Sequence, residues 1–251
     1  MPAPSIPGRR AVLARLGAAA LFPAALPRIA RGEEPTFDEQ AAAVRAGMAT
    51  RIIMSTVPLT EAEWEALAAL RGLAHLDLQE GVATDAHAAR LAGLPRLERL
   101  VLRHSPLGDE GFRHLAACRA LRILNVPQAD CTCAGLEALA ALPHLASLRL
   151  GSPRLVAEAD PGSPPGAAAE AGRAVATALV GLRALRALHL IDVPLGDGGL
   201  DILSGHEGLR TLYLDGAGIS DAAWDRFFAR RGDVHVHVDQ AHHDRDPNHH
   251  E

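Results

Sequence analysis

The chain has 251 residues, 48% hydrophobic and 22% charged, which suits one folded domain. Its 25 basic residues are all arginine, set against 30 acidic ones for a formal net charge of −5. With only 3% aromatic residues, this balance argues against a nucleic-acid platform of basic patches and stacking rings.

Residues 1–32 read as a targeting segment and not as part of the fold. Arg9 and Arg10 precede an apolar run from Leu16 to Leu26, and Ala30-Arg31-Gly32 offers a small-x-small cleavage point. The apolar run is too short for a transmembrane helix, and no later stretch is long enough to span. Cleavage there would leave 20 of the 25 basic residues against all 30 acidic ones, a net charge of about −10 that repels a phosphate backbone. Residues 33–48 follow as a short capping helix, with Thr36 and Glu39 spaced as a capping box.

From residue 49 the chain repeats. Leu97-x-x-Leu100-x-Leu102 has the look of a strand, and Pro106-Leu107-Gly108-Asp109 then turns into a helical run around Phe112, Leu115 and Cys118. The first position of this unit recurs at Ala49, Leu73, Leu97, Leu121, Leu145, Leu185, Leu209 and Asp233. Every step is 24 residues except one of 40. The fourth and sixth positions stay apolar throughout, from Ile52 and Met54 to Val236 and Val238. Acidic residues recur at Glu61, Asp85, Asp109, Asp197 and Asp221, where helix-start amides need acceptors.

This pattern resembles the leucine-rich repeat family over roughly residues 49–239, closest to ribonuclease-inhibitor-like and GALA-type repeats. The N-terminal segment resembles a twin-arginine export signal, although Gly8 stands where Ser or Thr is usual. The resemblance implies an α/β solenoid of about eight units, with a parallel sheet on the concave face and helices on the convex face. One feature departs from the family. The usual Asn or Cys three residues after the sixth position is replaced by Ser105, Ala129, Val193 and Ala217.

The long step is explained by a Pro- and Gly-rich insertion at about 151–172, expected as a loop near one rim of the concave face. It reads either as a binding loop or as a tolerated insertion. Cys118 and Cys131 fall on apolar repeat positions, so buried thiols are expected there, and a bridge from Cys118 to Cys131 or Cys133 is the alternative.

Alternate residues of a strand share a face, so the residues between the leucines line the concave surface. Arg99, Arg103 and Arg149 form a basic centre there, and His189, Tyr213 and Asp215 continue the surface toward the C-terminus. These six are the expected binding residues. At the last strand His235 and His237 point the same way, about 6.5 Å apart by strand rise. Asp239, His242 and His243 stand nearby, and residues 240–251 form a His/Asp-rich tail. Imidazole and carboxylate together suit zinc or another transition metal, although no fixed zinc-motif spacing is present.

There is no phosphate-binding loop, no H-E-x-x-H and no G-x-S-x-G elbow. The expectation is therefore a non-catalytic protein, exported to the periplasm or cell exterior. Its concave face would bind a protein or envelope polymer, without nucleic acid, membrane span or required cofactor. The alternative is an extracytoplasmic metal-binding protein using His235, His237, Asp239, His242 and His243. An intracellular adaptor is the third reading, opposed by the export-like N-terminus.

Overall fold

The computed structural model describes residues 34–155, 166–243 and 246, so the expected export signal lies outside the described residues. Eight strands follow the repeat: β1 Arg51–Met54, β2 His75–Leu78, β3 Arg99–Leu102, β4 Ile123–Val126, β5 Ser147–Leu150, β6 Ala187–Ile191, β7 Thr211–Asp215 and β8 His235–Val238. They pair in parallel and in sequence order, and a short β9, Ala241–His242, adds antiparallel to β8. The register is one repeat per strand. Leu76 pairs with Leu100, Leu100 with Leu124, and Leu124 with Leu148.

Helices return the chain between strands: α2 Glu61–Leu67, α3 Asp85–Leu91, α4 Asp109–Leu115, α5 Cys133–Ala138, α6 Ala167–Val180, α7 Gly196–Leu203 and α8 Asp221–Arg231. Each of these helices packs on the next. Strands sit about 4.8 Å apart, whereas packed helices need about 8–10 Å. A stack that joins the two must bend with its sheet on the inner side. This is the α/β leucine-rich repeat solenoid.

The fourth and sixth strand positions of all repeats are buried, save a half-buried Val238 at the terminal strand. They form one core with the apolar helix positions Trp64, Leu91, Phe112, Leu136, Leu179, Leu200 and Phe227. At the position where the family has its Asn, Ala129, Val193 and Ala217 are simply buried apolar side chains. Ser105 keeps a polar role there. Its hydroxyl accepts the Ala83 N–H at 3.0 Å and donates within reach of the Gly81 carbonyl at 3.1 Å.

Four of the five acidic helix-start residues, Glu61, Asp85, Asp109 and Asp197, reach into the next repeat. Asp85 Oδ1 accepts the Gly108 N–H at 2.8 Å. Asp109 Oδ1 accepts the N–H groups of Thr132 and Gly135 at 2.7 and 3.1 Å, and its Oδ2 accepts the Thr132 hydroxyl at 2.8 Å. Asp197 takes the backbone N–H and hydroxyl of Ser220 at 2.8 and 2.6 Å. Glu61 instead accepts from His87 Nε2 at 2.7 Å, while that ring stacks on Trp64 with centroids 4.6 Å apart. A ladder of carboxylates thus stitches consecutive repeats along the helix starts.

Both ends of the sheet are covered, as unpaired strand edges must be. At the first edge, the helix α1, Phe37–Arg45, carries the Thr36–Glu39 capping box and presents Gln40. The Gln40 amide stands in for a neighbouring strand: Oε1 accepts the Ile53 N–H and Nε2 donates to the Ile53 carbonyl, both at 2.8 Å. At the other edge, part of the expected His/Asp-rich tail forms β9, and the His243 ring lies over Trp224 and Phe228 with centroids 4.5 and 5.1 Å away.

The insertion differs from the expected loop. Pro153–Leu155 forms a 3-10 turn, and Ala167–Gly172 belong to α6, which runs 14 residues. Glycine permits α6 to lie against the start of α7. A Cβ on Gly172 would stand 2.2 Å from the Leu195 carbonyl oxygen, and one on Gly199 would stand 2.9 Å from the Gly172 oxygen. Cys118 and Cys131 are buried thiols and neither is bridged. Burial pushes the Cys118 thiol up to about 11 and Cys131 to about 12.

Candidate functional site

Parallel register converts the repeat into columns on the concave face. The middle column runs Ile53, Asp77, Val101, Asn125, Arg149, His189, Tyr213 and His237, paired rung by rung. Val101 departs from the expected pattern. It is buried, so it divides Asp77 from the polar stretch that begins at Asn125.

That stretch holds two adjoining hollows. One, of about 230 Å³, is lined by Arg99, Asn125, Ser147, Arg149, His189 and Tyr213 among others. The next, of about 380 Å³, shares Arg149, His189 and Tyr213 and adds Asp215, His237 and Gln240. Five of the six expected binding residues therefore line one continuous surface. Arg103 does not; it is exposed just beyond the end of β3 and lines neither hollow.

The side chains of this surface differ in how they are held. His189 Nε2 lies 2.9 Å from Asp215 Oδ2, a pair only about one-fifth exposed. Tyr213 sits between two imidazoles, 5.4 Å from the His189 ring and stacked 4.5 Å from His237. Arg99 reaches Asp77 at 3.9 Å, a long ion pair. Arg149 has no ion-pair partner among the described residues. Its buried Nε and the buried Oδ1 of its neighbour Asn125 also lack hydrogen-bond partners there. Buried polar atoms are seldom left so, and these two, one donor and one acceptor, belong to residues that line the same hollow.

The C-terminal histidines form a second group that abuts the first through His237. One ring nitrogen from each of His235, His237 and His242 lies within 4.8 Å of the others. His235 and His237 share a face of β8, and the antiparallel ladder pairs His237 with His242. His237 Nε2 is 2.9 Å from His235 Nε2. Burial holds the His237 imidazole below its ordinary value, and the adjacent His235 and His242 push in the same direction, with Asp246 opposing.

Two expected members of the metal group are placed elsewhere. Asp239 turns away with a φ of 48° and its Oδ1 accepts the Gly216 N–H at 2.9 Å. His243 is engaged with Trp224 and Phe228. In their place stands Asp246, a member of the His/Asp-rich tail. Its side chain is fully buried, and Oδ2 accepts the Val236 N–H at 2.8 Å.

No protein-family model and no curated protein matches the chain. Solved structures that are similar include the plant peptide hormone receptor RGFR1 in complex with RGF2, at 14% identity over 71% of this chain and a TM-score of 0.39. An internalin, inlF, from Listeria monocytogenes is 16% identical over 81% of this chain, with a TM-score of 0.40. The chain spans 26% of the receptor and 64% of the internalin. Among the described residues no helix is long and apolar enough to cross a membrane.

Proposed function

We propose that this chain is a non-catalytic, exported recognition protein that binds a protein or envelope polymer across its concave face. One observation carries the reading: Arg149 Nε and Asn125 Oδ1 lie buried and unpartnered in a hollow that continues past His189 to Tyr213. Polar atoms committed to a fold are paired within it; these two are not. Around them are a positive group at Arg99, an aromatic face at Tyr213 and a carboxylate at Asp215. Mixed polar and aromatic anchors at the centre of an extended surface suit a macromolecular partner. Export is supported by the sequence of residues 1–32 alone.

Crosslinked capture from the native cell envelope tests this reading, followed by binding of the purified partner to wild type and to a triple variant, Arg99→Ala, Arg149→Ala and Tyr213→Ala. The expected result is a defined partner whose affinity falls at least 100-fold in a variant that still melts cooperatively. A partner held equally well by the variant would contradict the concave-face assignment.

A further inference from the structure

We propose that His235, His242 and Asp246 bind a first-row transition-metal dication, zinc being the best fit, with His237 positioning His235. The inference is independent of the concave-face reading. It begins with three donor atoms at the C-terminal edge of the sheet. His235 Nδ1 lies 3.1 Å from Asp246 Oδ2, His242 Nε2 lies 3.4 Å from the same oxygen, and the two nitrogens are 3.3 Å apart. Ligands about 2.0–2.1 Å from a tetrahedral zinc stand about 3.3–3.4 Å from one another. The triangle therefore already has the dimensions of three corners of such a site.

Ordinary hydrogen bonding accounts for this triangle poorly. Asp246 Oδ2 accepts the Val236 N–H, which occupies one of its two lone pairs. Two ring nitrogens crowd that same oxygen, and the nitrogens also face each other. A single cation bound by all three atoms removes the conflict, because each imidazole then presents a lone pair and no proton. Full burial of the carboxylate strengthens its attraction for a cation and prevents solvent from competing.

The surrounding residues fit the same arrangement. With Nδ1 on the metal, His235 Nε2–H is directed at His237 Nε2 2.9 Å away. Metal-ligating histidines commonly donate their second N–H to such a partner, which fixes tautomer and ring direction. His237 is itself fixed by stacking on Tyr213. Two imidazoles and one carboxylate favour zinc, copper or nickel over magnesium or calcium, which prefer all-oxygen sets. A fourth tetrahedral position is left for solvent or an incoming group.

The test titrates untagged, chelator-treated full-length protein with Co²⁺ and Zn²⁺, using the visible absorption of bound cobalt and calorimetry for zinc. One equivalent is expected to bind, Zn²⁺ is expected to displace Co²⁺, and excess Mg²⁺ is expected to compete with neither. His242→Ala and Asp246→Asn should weaken binding at least 100-fold, and His237→Ala about 10-fold through loss of positioning. A variant with His249→Ala and His250→Ala controls for binding by composition alone and should retain full affinity. Thermal melts of each metal-free variant establish that it is folded. Should Asp246→Asn not fold, His242→Ala and His235→Ala carry the decision. No uptake, or uptake unchanged by His235→Ala and His242→Ala, would overturn the site. Loss on His237→Ala equal to that on His242→Ala, with none on Asp246→Asn, would overturn this ligand set.

Discussion

Asp109 shows how one side chain can join two repeats. Burial raises its carboxyl, but the hydrogen bonds from Thr132 and Gly135 outweigh that effect and hold it below the ordinary carboxylate value. Its removal leaves the Thr132 and Gly135 donors at a partly buried helix start without their acceptor. Asp109→Ala should therefore cost about 1–3 kcal/mol in urea unfolding. Asp130→Ala is the control, since its half-exposed pairing with Arg154 at 3.8 Å is worth under about 1 kcal/mol. Equal losses would show that the carboxylate ladder is incidental. The acid at this position was legible in the sequence, but its partner was not. Local spacing points to its own helix amides, whereas the atoms it meets lie 23 and 26 residues further on. Asp246 was hidden for a similar reason. Which tail carboxylate turns inward depends on the chain reversing after β8, where Asp239 and Gln240 take left-handed φ of 48° and 65°.

At the scale of elements, the strands were the most legible part. A period of 24 with two apolar positions per rung fixes which face is buried, and the register then follows without freedom to slip. Helix lengths were less legible, because the insertion's Pro and Gly content hid the start of α6. Close packing of that helix against the next repeat gives a sharp prediction. In Gly172→Ala the new methyl meets the backbone oxygen of Leu195, which cannot rotate away. The helix must shift, at a cost of about 1–3 kcal/mol, read as a lower chemical-denaturation midpoint with an unchanged slope. Gly93→Ala, where a Cβ meets nothing within 4 Å, should change stability far less. The column logic also failed at one residue, Val101. Alternation placed it at the surface, but its side chain is buried.

At the scale of the whole molecule, the ladder makes stability depend on acid. Asp197 is held below its ordinary value by the Ser220 hydroxyl and backbone N–H, and Asp233 by the Arg231 guanidinium, as Asp109 is by its donors. The folded chain thus takes up these protons less readily than the unfolded chain. The stability they contribute is fully present above the unfolded carboxylate value of about 3.9, and is lost as pH falls through the lower folded values. Thermal midpoints should drop on acidification below about pH 4, and less steeply in Asp109→Ala. A midpoint indifferent to acid across that range would mean that these carboxylates do not tie the repeats together.

The solenoid has two extended faces, and recognition through the strand side is the claim on which its proposed role depends. A photocrosslinking amino acid placed at Ser147, in the wall of the central hollow, or at Glu137, exposed on α5, compares the two directly. Illumination in the native cell envelope should yield a discrete adduct from position 147 and none from 137. Adducts from position 137 alone, or equal adducts from both, would contradict binding by the concave face.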